Sequence, residues 1–135
     1  MTKDISCALL AEPYHSLAEG TRLLLATLFD SVLILSDEVS LVEIAERVRP
    51  RIVILDLVLA KRNLAILIAR LRESFPGVRV LVVSVHEERS AVRSVRDAGA
   101  DGFLVKGRIG SDLIAAVETV LRGDRYFSPE IEPSV

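Results

Sequence analysis

Short apolar runs rich in β-branched residues alternate along this chain with longer stretches in which apolar residues recur every three or four positions. The short runs are typical of strands covered on both faces, and the longer stretches are typical of amphipathic helices. Their regular alternation predicts βαβ units around a parallel sheet. The predicted strands are 5–11, 32–35, 52–56, 78–84 and 102–106, and the predicted helices begin near 16 and cover 38–48, 64–75, 87–98 and 111–122. We therefore expect an α/β fold in which a doubly wound, five-stranded parallel sheet lies between two layers of helices.

Residues that favour helix ends support these boundaries. Ser16 and Glu19 form a capping-box pattern, which predicts the start of the first helix. Asp37 is a predicted cap for the second helix, and Pro50 is its predicted stop. The fourth helix should carry two glutamates in its first turn and end just before Gly99, as the helix dipole and the left-handed C-terminal position favour.

The last twelve residues follow neither pattern. Two prolines and polar spacing predict an irregular segment rather than another helix. We therefore predict one domain over 1–123, followed by an irregular tail over 124–135 or the start of a linker to an output domain outside this chain.

Composition narrows the class of protein. Of the 135 residues, 50% are hydrophobic and only 4% aromatic, which predicts one core of aliphatic side chains. The net charge of −2 lacks the basic footprint of phosphate-backbone binding, so we expect no direct nucleic-acid binding by this chain. Cys7 is the single cysteine, which excludes an internal disulfide or a thiolate metal site. No run approaches the length of a membrane span, so we expect a cytoplasmic protein without a membrane partner.

Three polar residues follow apolar runs in the central and last predicted strands. Asp56, Ser84 and Lys106 each close such a run. Parallel α/β sheets bind ligands at the carboxyl ends of their strands. We expect these three side chains to meet in one pocket.

Three sequence segments carry a family resemblance. The segments Arg49–Leu57, Leu81–His86 and Ala98–Lys106 occur in an order and spacing that resemble the receiver domain of two-component response regulators, the CheY-like superfamily. The closing segment Gly123–Glu130 resembles the branch that precedes a LuxR-type helix-turn-helix output domain. This resemblance implies a (βα)5 flavodoxin-like fold.

The resemblance also implies a mechanism and partners. Asp56 would accept a phosphoryl group from a histidine kinase in a two-component phosphorelay, Ser84 would hydrogen-bond a phosphoryl oxygen, and Lys106 would neutralise its charge. Phe103 matches the aromatic switch position. The chain would then change its partner contacts in transcriptional control, without being an enzyme beyond its own phosphorylation. Purely structural roles for the same residues stay open. Asp56 can be a helix cap, Ser84 a turn residue, Lys106 a lysine that points to solvent, and Phe103 a core aromatic.

The expected metal site departs from the family pattern. Receivers carry two adjacent acids after the first strand, which hold Mg²⁺ with the phosphoacceptor, whereas this chain has Glu12 and Pro13. Proline offers no side-chain ligand, so only Glu12 and Asp56 remain for a cation that prefers octahedral oxygen coordination. We expect a weak or lost Mg²⁺ site. One hypothesis is that the positive charges of Lys61 and Arg62 partly substitute for the missing cation near Asp56. The alternative is that both are solvated loop residues.

Other functions remain alternatives. The chain can be a pseudo-receiver, an interaction module of the same fold that acts without phosphorylation. A phosphatase using Asp56 is disfavoured because no second aspartate stands two residues on, at Val58. Pairing of two copies into a homodimer is left open by the sequence.

Overall fold

A computed structural model describes residues 4–60 and 63–128, with side chains from residue 6 onward. Lys61, Arg62 and residues 129–135 lie outside the described residues, and so does the hypothesis that rests on the first two. The elements are, in chain order, β1 (Asp4–Ala11), α1 (His15–Leu25), β2 (Phe29–Leu35), α2 (Glu38–Val48), β3 (Ile52–Asp56), α3 (Leu64–Ser74), β4 (Arg79–Ser84), α4 (Arg89–Asp97), β5 (Gly102–Val105), α5 (Ile109–Leu121) and β6 (Tyr126–Ser128).

The strands form one parallel sheet in the order β2-β1-β3-β4-β5-β6. The strand order reverses between β1 and β3, and in such sheets the crevice at this point is the usual place for a ligand. The flavodoxin-like α/β architecture is confirmed. The predicted count of five strands is one fewer than the six strands within residues 4–60 and 63–128, because β6 extends the sheet beyond β5.

Two apolar clusters hold the layers together. One lies between the sheet and α2, α3 and α4, and the other between the sheet and α1 and α5. Along β3 all five residues are buried, because alternate side chains enter opposite clusters. The predicted three-layer sandwich follows from this packing.

The sixth strand lies within the segment that we predicted to be irregular. Residues Tyr126–Ser128 pair with Gly102–Leu104 of β5. Tyr126 packs against the cluster under α1 and α5, while Phe127 packs against the opposite cluster. The prediction of irregular structure was therefore wrong for these three residues. The domain boundary at residue 123 stays a prediction.

The helix ends test the capping predictions. Asp37 caps α2 as predicted, because its carboxylate accepts hydrogen bonds from the Ser40 backbone N–H at 2.8 Å and hydroxyl at 3.0 Å. The capping box at Ser16 was wrong, since α1 begins one residue earlier and Glu19 pairs with Arg22. The fourth helix begins at Arg89, so the two preceding glutamates lie outside its first turn.

Across the described residues, no helix combines the length and the apolar character that crossing a membrane requires.

Candidate functional site

Four polar side chains converge at the carboxyl edge of the sheet. Asp56 ends β3, Ser84 ends β4, and Glu12 and Lys106 directly follow β1 and β5. Asp56 is fully buried, Glu12 and Ser84 are each 3% exposed, and the side chain of Lys106 is 11% exposed. Buried polar groups at this density need partners, so their hydrogen bonds define the site.

Asp56 is held through both carboxylate oxygens. Oδ1 accepts the backbone N–H of Val58 at 3.0 Å, within a single 3₁₀ turn that follows β3. Oδ2 accepts a hydrogen bond from Lys106 Nζ. The predicted meeting of Asp56 and Lys106 therefore occurs, and the lysine charge is aimed at the carboxylate.

Glu12 shares the same lysine. Its carboxylate oxygens lie 3.4 and 3.5 Å from Lys106 Nζ, and Oε2 accepts the Tyr14 backbone N–H at 3.1 Å. Burial raises the pKa of the Glu12 carboxyl, and the nearby Asp56 raises it further, whereas the Tyr14 N–H and Lys106 lower it. One ammonium thus serves two buried carboxyl groups, which we call the acidic pair (Glu12 and Asp56).

Ser84 presents a hydroxyl next to this charge cluster. Its Oγ accepts the backbone N–H of His86 at 3.1 Å. This bond uses an acceptor lone pair and leaves the hydroxyl hydrogen to donate. Ser84 can therefore supply a donor to an anionic group placed beside Asp56.

A cavity of about 510 Å³ lies beside these polar residues. Its volume is within the range of small-ligand sites. Asp56, Ser84 and Lys106 line it together, as the sequence predicted. Its walls are mostly apolar, and they are contributed by Tyr14, Leu57, Val58, Ala60 and Val85, with His86 at the side.

Tyr14 is a site residue that sequence reasoning missed. Lys106 Nζ lies over its ring, 4.7 Å from the ring centroid, a distance at which a ring attracts a cation. Its place two residues after Glu12, at the carboxyl end of β1, was the available signal.

Comparison with known proteins decides the family. Residues 8–118 match the family described as the response regulator receiver domain, and this match spans most of the chain. The chain belongs to this family. Receiver domains are generally signalling proteins rather than enzymes.

Individual relatives agree with this assignment. The transcriptional regulatory protein DegU of Brevibacillus brevis is 33% identical over 115 residues, which cover 84% of this chain and 49% of DegU. The oxygen regulatory protein NreC of Staphylococcus carnosus is 30% identical over 88 residues, which cover 64% of this chain and 41% of NreC. This receiver domain therefore spans about half the length of these curated relatives.

Solved structures share its fold. A two-component response regulator of the LuxR family from Aurantimonas sp. SI85-9A1 superposes with a TM-score of 0.82 at 23% identity, covering 93% of this chain and 91% of that one. The receiver domain of the stress response regulator RcsB from Escherichia coli gives 0.80 at 18% identity, covering 92% and 98%. The relatives of this chain are LuxR-type response regulators, as the closing sequence segment predicted.

Receiver domains typically bind Mg²⁺ at the acidic phosphorylation site. The donor set here does not fit that ion. The acidic pair supplies two carboxylates, both already engaged by backbone N–H groups and Lys106, and Pro13 supplies no side-chain oxygen. Within 4–60 and 63–128, no three or more His, Cys, Asp or Glu side chains are grouped to hold a metal ion. A hard dication that demands octahedral oxygen coordination finds too few free ligands.

Phe103 does not line the cavity. It is fully buried on β5, in the cluster under α2, α3 and α4, with Phe127 of β6 packed at the edge of the same cluster. Packing alone accounts for this position, and its role as a switch stays a prediction. The strand that carries Phe103 also leads directly into Lys106, which gives a short covalent route from the core to the site.

Proposed function

We propose that this receiver domain accepts a phosphoryl group on Asp56 from a histidine kinase. The single observation that carries the proposal is the cavity in which Asp56, Ser84 and Lys106 meet. In the proposed step, an Asp56 oxygen attacks the phosphorus of a phosphohistidine. The phosphorus–nitrogen bond breaks, its electron pair stays on the imidazole nitrogen, and an acyl phosphate forms on Asp56.

The neighbouring groups match the charge that this step brings in. Among the described residues that line the cavity, Lys106 is the only lysine or arginine. It would leave Asp56 Oδ2 for a phosphoryl oxygen, and the Ser84 hydroxyl would donate to another. Both donors already line the cavity beside Asp56, so neither has to be brought in from elsewhere in the fold.

The relatives support a role in transcription. DegU is named a transcriptional regulatory protein, and the Aurantimonas structure is named a LuxR-family response regulator. We propose that this domain works in the cytoplasm beside a DNA-binding output domain, and that phosphorylation changes its contacts with partners or with a second copy. Phe103 would couple Asp56 to that change, because its strand continues into Lys106.

Phosphorylation with acetyl phosphate, followed by intact mass, tests the proposal directly. We expect one added phosphoryl group on the wild type and none on Asp56→Asn. Asp30→Asn, at the opposite edge of the sheet, is the matched control and should react like the wild type. Beryllium fluoride, a phosphoryl mimic, should perturb the amide resonances of β4 and β5. Failure of the wild type in both assays, with and without Mg²⁺, overturns the proposal and leaves the pseudo-receiver alternative.

A further inference from the structure

We infer that Tyr14 is a positioning residue, whose ring holds the Lys106 ammonium in the cavity during phosphoryl transfer. This inference rests on the proposed function of Asp56 and deepens it. It assigns a role to an aromatic side chain that the two-component resemblance does not require.

The position of the ring is the first argument. Tyr14 is 56% exposed although it is one of few aromatic residues in the chain, so its ring adds little to the core. Tyr14 is the N-cap residue of α1, but its side chain makes no capping hydrogen bond. What the ring does contact is the ammonium of Lys106, at 4.7 Å from the ring centroid. A surface tyrosine without a role has no reason to lie face-on to the cation of the site.

The backbone of Tyr14 supplies the second argument. Its N–H is bonded to Glu12 Oε2 at 3.1 Å, and Glu12 in turn contacts Lys106. The ring and the carboxylate therefore approach the same ammonium from one short segment. Glu12 is 3% exposed, which anchors this segment to the buried end of β1.

The chemistry of the step explains the use of a ring. Lys106 must exchange the Asp56 carboxylate for a phosphoryl oxygen as the acyl phosphate forms. A carboxylate partner attracts the ammonium at a fixed hydrogen-bonding geometry, whereas the attraction of a ring face for a cation is broad. Tyr14 can keep hold of Lys106 through this exchange, because its ring lines the same cavity as the ammonium.

Tyr14→Leu removes the ring but keeps an apolar side chain, and Tyr14→Phe keeps the ring and removes only the hydroxyl. We expect Tyr14→Leu to lower the rate of phosphorylation at saturating acetyl phosphate about fivefold, with little change in KM. Tyr14→Phe should restore the wild-type rate. Leu23→Ala is the control for loss of surface apolar area, because Leu23 is an exposed apolar residue of α1 that does not line the cavity.

A second readout does not depend on phosphorylation. Protons next to Lys106 Nζ should show an upfield ring-current shift in the wild type and in Tyr14→Phe, and should lose it in Tyr14→Leu. Equal rates in Tyr14→Leu and wild type, or an unchanged Lys106 shift, overturn the inference while leaving phosphorylation of Asp56 intact. A wild type that shows the shift but takes up no phosphoryl group instead overturns the proposed function.

Discussion

Replacing Gly102 with alanine should destabilise the domain through the sixth strand. An added Cβ at this position lies 2.7 Å from the Tyr126 carbonyl oxygen, 2.8 Å from Leu81 Cδ1 and 3.2 Å from Val120 Cγ2. The two side-chain atoms can shift, but the carbonyl oxygen belongs to the backbone of β6. Gly102→Ala must therefore either push β6 away or strain the strands on both sides.

Both responses have a similar cost. Overpacking a core position costs about 1–3 kcal/mol. Releasing β6 removes a few ladder hydrogen bonds, each worth about 1 kcal/mol net. Since the cheaper response sets the cost, we expect the free energy of unfolding to fall by about 1–3 kcal/mol, with a Tm lowered by about 3–6 °C for each kcal/mol.

Urea unfolding and amide hydrogen exchange measure the two parts of this prediction. Gly102→Ala should lower the urea midpoint and speed the exchange of the β6 amides. Gly20→Ala is the control, because a Cβ there meets no atom within 4 Å in the middle of α1 and should stabilise by about 1 kcal/mol. A Gly102→Ala variant that matches the wild type in both measurements would refute the close approach of β6.

Two further predictions concern the metal and pH. Adding Mg²⁺ should not raise the Tm, because the oxygens of the acidic pair are already engaged by Lys106. For the same reason Mn²⁺ should not broaden NMR resonances near the acidic pair. Selective broadening of those resonances would contradict this prediction. Hydrogen bonds from Ser40 lower the pKa of Asp37 in the folded protein below the unfolded pKa of 3.8. The Asp37 carboxylate therefore stabilises α2 fully above pH 3.8, and this stabilisation is lost as the pH falls through the folded pKa. Asp37→Asn should keep the cap but lose this pH dependence in thermal unfolding, whereas equal slopes for variant and wild type would show that Asp37 does not contribute.

The buried strands and the best-capped helix were predictable from the sequence. Ile52–Asp56 is a strand with the predicted bounds, because burial on both faces leaves an unbroken run of four apolar residues that Asp56 closes. The second helix was also found residue for residue, since Asp37 uses its side chain for the cap. The helix start predicted at Ser16 was wrong although the sequence there fits a capping box. The N-cap residue of α1 is Tyr14, which makes no side-chain capping hydrogen bond.

The features that the sequence did not predict depend on contacts between residues distant in the chain. Three residues are too few to show a strand period, and β6 exists because Gly102 leaves room for it on the neighbouring strand. The cavity at Asp56 was predictable because strand ends meet at one edge of a parallel sheet. The contact between Tyr14 and Lys106 was not predictable, since only the folded chain brings the ring to a lysine 92 residues further on.

The sixth strand also sets the direction of the chain at Ser128. After α5 the chain is at the amino edge, opposite the cavity, and β6 then runs parallel to β5 as far as Ser128, which pairs with Leu104 near the end of that strand. Three extended residues span about 10 Å, enough to carry the backbone back across much of the sheet. At Ser128, the last described residue, the backbone therefore points towards the edge of the sheet that holds Asp56.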